Sequence, residues 1–103
     1  MHVSAYRDLR PPDYESGSEL LRALGSPARL AIVDALSLLD RCVHELTERL
    51  DLPQTVVSQH LRVLKDAGVV AGRRRGREVV YSLVDANAAA IAHAALSDRR
   101  DPG

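Results

Sequence analysis

Residues 41 to 68, RCVHELTERLDLPQTVVSQHLRVLKDAG, decide how the rest of the chain is read. In the second half Val57, Leu61 and Leu64 recur at i, i+4 and i+7, the spacing that sets apolar side chains along one stripe of an α-helix. The opposite side carries Thr55, Ser58, Gln59, Arg62 and Lys65, and Gly68 follows as a left-handed cap would, so a helix is predicted from Gln54 to Ala67. In the first half Leu46 and Leu50 mark the buried side of a shorter helix, from about Val43 to Leu50, that stops before Pro53. Two short helices joined by a tight "DLP" turn, the second apolar behind and small, polar and basic in front, meet the requirements of a helix-turn-helix. The same stretch places the only cysteine, Cys42, two residues before His44.

Working outward, "SPARLAIVDALSLLD" opens with Ser26 as a cap and Pro27 at the first helical position, where its missing N–H costs nothing. Its apolar residues Leu30, Ala31, Val33, Leu36 and Leu39 predict a second helix. Before it, "SELLRAL" offers Ser18 as a cap, then Leu20, Leu21 and Leu24 on a stripe closed by Gly25, a short first helix. Residues 1 to 17 show neither helical nor strand period and read as an arm, ordered only where something pins it. The remaining organisation is one domain over residues 18 to 98 and a tail from 99 to 103.

Downstream of Gly68 the period changes to two. Val79, Tyr81 and Leu83 fall on one face and Val80 and Ser82 on the other, so "VVAGRRRGREVVYSLVD" reads as a β-hairpin with Gly76 in its turn. Arg73, Arg74, Arg75 and Arg77 surround that turn, where guanidinium groups can meet phosphates or enter a minor groove. A solvated loop is the plainer reading; the adjoining helix-turn-helix favours a DNA-contacting wing. The last helix, from about Asp85 to Leu96, contains "ANAAAIAHAAL", whose small side chains suit close approach of another helix. A monomer would leave Ile91, Leu96 and the first helix's stripe poorly covered, so dimerisation through the two terminal helices is expected.

Composition sets the bounds. A chain of 103 residues has room for one modest core, and with 46% hydrophobic residues but no Trp or Phe that core must be aliphatic. Fourteen basic residues balance fourteen acidic ones, so only local charge can point to a polyanion. The N-terminus lacks the apolar stretch of a signal peptide or anchor, and the run from Ala88 to Leu96 falls well short of the ~20 residues a membrane span needs, so a cytoplasmic protein with no membrane partner is expected. No nucleophile with a base, phosphate loop or carboxylate pair on a shared face supports an enzyme.

The helix order together with "LRALGSPARLAIVDAL", "CVHEL", "VSQHLRVLKDAGVV" and "GREVVYSL" resembles the ArsR/SmtB family of bacterial winged-helix repressors over roughly residues 18 to 96. The resemblance implies a mostly α fold with a β-hairpin wing, a winged helix-turn-helix acting as a homodimer on inverted-repeat operator DNA and released by an inducer. Carried over position by position, the fourth helix looks like the recognition helix. Gln54, Thr55, Ser58 and Gln59 then approach base edges or phosphates, and Arg62 and Lys65 add phosphate attraction. His60 is either a further contact or a helix-packing residue bonded to backbone.

"RCVHEL" sits where many metal sensors of the family carry Cys-X-Cys, with His44 in place of the second thiolate. Cys42 and His44 are good ligands for zinc, nickel or copper, as an effector the fold itself does not require. Residues two apart on a helix point about 200° apart, so both reach one ion only if Cys42 lies just outside the first turn. His2 is the leading further ligand, with Asp8, Asp13 and Glu15 as others on the arm. The family's second metal site is not carried over: Asp85, Asn87, Asp98 and Asp101 stand at its positions without the two histidines, and His93 falls off the pattern. Three other readings stay open: Cys42 as a small half-buried apolar residue with His44 on the surface, Cys42 as a redox-responsive thiol favoured by the helix dipole, and a regulator with no inducer. A winged helix used only for protein–protein contact is the alternative function, against which the concentrated arginines argue.

Overall fold

The computed structural model describes residues 12 to 97. Their order is α1 (Tyr14–Leu24), α2 (Pro27–Leu38), β1 (Arg41–Cys42), α3 (Val43–Leu50), α4 (Gln54–Asp66), β2 (Val70–Arg75), β3 (Glu78–Leu83) and α5 (Ala86–Leu96). This is a winged helix-turn-helix, mostly α with a hairpin wing, as the periodicities predict. The arm from residue 1 to 11, with His2 and Asp8, lies outside the described residues, as do Asp98, Asp101 and the tail.

Two boundaries differ from the sequence expectation. Helix α1 starts at Tyr14 rather than after Ser18, because the Asp13 carboxylate accepts from the Ser16 N–H at 3.0 Å and caps the helix a turn earlier. Strand β1, only two residues long, has no counterpart in the reading of the sequence. It exists because Arg41 and Cys42 pair antiparallel with Tyr81 and Val80, giving a sheet ordered β1-β3-β2.

The core needs no aromatic centre. Ile32, Val33, Ala35 and Leu36 of α2 are buried, and α2 touches α1, α3, α4, α5 and β3. Being central, it buries a wider face than the predicted stripe, while Leu38 and Leu39 at its end are 65% and 54% exposed. Leu46 of α3, Val57, Leu61 and Leu64 of α4, and Ala88 and Ala92 of α5 complete the cluster with Val69 and Val70. The small side chains of Ala88 and Ala92 let α5 lie close against α2.

Helix ends fix how α4 and the hairpin are placed. Between α3 and α4 Asp51 adopts the left-handed conformation (φ 56°), with its N–H and that of Leu52 both donating to the Thr47 carbonyl. After α4, Gly68 (φ 76°) donates to Lys65 O and Val69 donates to Leu64 O, a Schellman ending that turns the chain straight into β2. In the hairpin, Arg75 pairs with Glu78 across a turn whose Gly76 has φ 64°. The expected two-face alternation of β3 is blurred, since residues 79 to 83 are all half-buried. Opposite Tyr81, Gly72 is needed as glycine: a Cβ there would stand 2.9 Å from Val79 Cγ1 and 3.0 Å from Tyr81 Cε1.

Candidate nucleic-acid interface

Burial of Val57, Leu61 and Leu64 orients α4, and the residues on its other side follow from that. Gln54, Thr55, Ser58, Gln59, Arg62 and Lys65 are all exposed. The helix starts after Pro53 with no side-chain cap; the Pro53 carbonyl accepts from Val56 and Val57, leaving the amides of Gln54 and Thr55 pointing outward. A helix end of that kind attracts anions. His60 is placed differently, half-buried with its Nδ1 3.2 Å from Arg29 Nη1.

On the wing Arg73, Arg74, Arg75 and Arg77 are exposed. They are not equivalent, because Arg73 Nη1 donates to Asp40 Oδ2 at 3.1 Å and is thereby tied to the segment before β1. Strand alternation sets Arg74 on the face opposite Arg73 and Arg75. A hollow of about 310 Å³ is lined by Gln54 at the start of α4, Arg77 and Glu78 at the wing's turn, and Cys42 and His44 of the β1–α3 segment. The start of α4, the hairpin and the sole cysteine therefore meet at one place.

Cys42 is the N-cap of α3, with extended backbone (φ −86°, ψ 169°), so it does stand just outside the first turn. Its N–H donates to Glu45 Oε1 at 2.9 Å, and the Glu45 N–H is directed at the sulfur, a reciprocal capping box. That N–H favours the thiolate, but burial and hydrogen bonding to the carboxylates of Glu78 and Glu45 outweigh it, and the thiol is raised above its ordinary pKa. The expectation that the helix dipole favours the thiolate is corrected accordingly: two nearby carboxylates and a 7% exposed site prevail over one helix end. Glu45 is shifted the other way, its carboxyl lowered by the Cys42 N–H and side chain. His44 is on the surface, its Nε2 3.5 Å from Glu48 Oε2.

Within the described residues Cys42 and His44 do not by themselves make up a metal site. Among the described residues no group of three or more His, Cys, Asp or Glu side chains is arranged to hold one. Asp13 caps α1 and Asp85 caps α5, accepting from Asn87 at 2.8 Å and Ala88 at 3.3 Å. His93 is exposed on α5. Three participants escape the sequence reading. Glu45, three residues after the N-cap, carried a legible signal in its capping-box spacing; Arg29 and Asp40 meet partners 31 and 33 residues away and carried none.

Comparison with known proteins agrees with this architecture. Residues 26–71 match the family described as bacterial regulatory protein, arsR family. The chain is 53% identical over 92 residues to the HTH-type transcriptional repressor SmtB of Mycobacterium tuberculosis, spanning 82% of this chain and 68% of that one. It is 36% identical over 106 residues to the HTH-type transcriptional regulator NmtR of the same organism, spanning 90% and 88%. In structure it is similar to HlyU from Vibrio cholerae, with a TM-score of 0.77 and 30% identity over 84% of this chain and 94% of that one. Among the described residues no helix is long and apolar enough to cross a membrane. With an uncapped, polar-fronted α4 beside an arginine-bearing hairpin, and these relatives, the chain belongs to the ArsR/SmtB family of winged-helix transcriptional repressors, DNA-binding regulators and not enzymes.

Proposed function

We propose that the chain binds an inverted-repeat operator as a homodimer, with Gln54, Thr55, Ser58 and Gln59 at base edges or phosphates, Arg62 and Lys65 on the backbone, and Arg74, Arg75 and Arg77 of the wing on flanking phosphates. The observation that carries this reading is that Gln54 and Arg77 line one hollow, so the start of α4 and the turn of the wing present themselves to one ligand together. Phosphate contacts position a protein, while amide and hydroxyl groups on the helix discriminate between bases. Dimerisation falls to α1 and α5, whose Tyr14, Leu21 and Leu96 are 77%, 58% and 40% exposed. A two-fold dimer sets its recognition helices on half-sites about one helical turn apart.

The resemblance implies an effector at Cys42 and His44. Those two residues share the hollow with Gln54 and Arg77, so an event at Cys42 or His44 adjoins both DNA-reading elements. A metal ion is the effector class the resemblance favours; it would require the Cys42 sulfur to leave its cap and lose its proton, and further ligands from outside the described residues, His2 among them.

Substituting Gln54→Ala or Ser58→Ala tests the reading on a duplex selected from a random pool by the parent chain. Discrimination between that duplex and random DNA is expected to fall by about 1 to 3 kcal/mol for each well-formed pairing to a base edge that the substitution abolishes. Unchanged discrimination in both variants would remove α4 from base recognition, and a monomer on that duplex in sedimentation would remove the dimer.

A further inference from the structure

One half-buried arginine joins three helices. Arg29 lies in the first turn of α2, where its backbone N–H donates to the Ser26 hydroxyl at 3.3 Å. Its Nε donates to the Ala23 carbonyl at 2.6 Å and its Nη2 to the Arg22 carbonyl at 3.4 Å, which also accepts from the Gly25 N–H at 3.2 Å; both carbonyls lie in the last turn of α1. Its Nη1 reaches His60 Nδ1 on α4 at 3.2 Å. A guanidinium only donates and keeps its charge, so Nδ1 must offer its lone pair and the ring proton belongs on Nε2. The planar five-donor fork serves three acceptors on two helices at once, which the single ammonium of lysine does not reproduce.

We propose that Arg29 is a positioning residue for operator recognition: it clamps the rear of α4 to the end of α1, so that the placement of α1 in the dimer sets the angle and spacing of the recognition helices. The clamp rests on the dimeric reading above. His60 lies about 140° around the helix from Thr55 and about 160° from Arg62, so its ring holds α4 from the rear while those residues face outward. Without the clamp, α4 remains packed through Val57, Leu61 and Leu64 in the core it shares with Ala23 and Leu24 of α1, but its angle to α1 is held by apolar packing alone, without the polar tie. Each half-site then still binds; the fixed distance between two half-sites disappears.

The experiment uses the full chain and the selected duplex, rebuilt with its half-sites one to several base pairs closer or further apart. Affinity is measured for the parent, Arg29→Ala, His60→Leu and His60→Asn. His60→Leu leaves the Arg29 bonds to α1 in place, which covers the case of Arg29→Ala failing to fold. His60→Asn keeps an acceptor oxygen where Nδ1 stood. The parent and His60→Asn are expected to prefer one spacing, while Arg29→Ala and His60→Leu bind all spacings nearly alike, with affinity roughly 10-fold weaker at the preferred one. Long-range proton–nitrogen NMR of the free parent is expected to show the His60 proton on Nε2. A proton on Nδ1, or a spacing preference kept by His60→Leu, overturns the clamp while leaving the dimer intact. Equal losses at every spacing in both His60 variants would make His60 a direct DNA contact and overturn it as well. A parent indifferent to spacing overturns the dimeric reading and the clamp together.

Discussion

At Cys42 the sulfur faces opposing influences, and their balance decides its chemistry. The Glu45 N–H draws it toward the thiolate; burial and the two carboxylates draw it back, and the net effect is a raised pKa. The protonated form is therefore favoured by the fold, a contribution present at neutral pH and lost as pH rises through the raised value. Iodoacetamide is expected to alkylate Cys42 several-fold more slowly than a free cysteine at neutral pH, the rate climbing only above the ordinary thiol range. Mass spectrometry over a pH series checks this, and alkylation at neutral pH as fast as free cysteine would contradict it. The position of Cys42 was legible, since it must stand outside the turn to share anything with His44. Its environment was not: Glu78 reaches it only because β3 pairs with β1, and sequence spacing carries no trace of that.

The β1–α3 element shows why helices were easier to read than what joins them. Repeating apolar residues announce α2, α3 and α4, because burial on one stripe must recur at the helical period, while α5 is announced by its Ala-rich run. Strand β1 is too short to show a period and owes its form to its partner. The start of α1 was hidden among charges and Gly17, and only the Asp13 cap reveals it. At α3 the Glu45 carboxyl is lowered because it accepts from the Cys42 N–H. A carboxylate depressed in the fold stabilises above its unfolded pKa and loses that contribution as pH falls through the folded one. Glu45→Gln is expected to lower the thermal midpoint by a few degrees at neutral pH, with the gap to the parent closing in acid as Glu45 protonates. A gap of constant size from neutral to acid pH, followed by circular dichroism, would show that the charge at this cap does not matter.

At the scale of the whole molecule a chain with no net charge sets four of its arginines around one turn, beside the start of a helix fronted by Gln54, Thr55, Ser58 and Gln59. Balanced composition hid this, since counting charges says nothing of where the fold gathers them. The helix-turn-helix, wing and exposed face of α4 were all legible because each follows from a local period. The unequal standing of the four arginines was not, because Asp40 meets Arg73 across 33 residues. That inequality chooses the variant for the most direct test of the DNA-binding account: Arg74, Arg75 and Arg77 changed together to alanine, with Arg73 left in its ion pair. The measurement is the slope of log affinity against log salt concentration, on the selected duplex and on random DNA. The wing account predicts that the slope flattens by about 1 to 3, at ~0.9 for each phosphate no longer neutralised, and that affinity for both duplexes falls alike. An unchanged slope would show that the wing does not touch DNA.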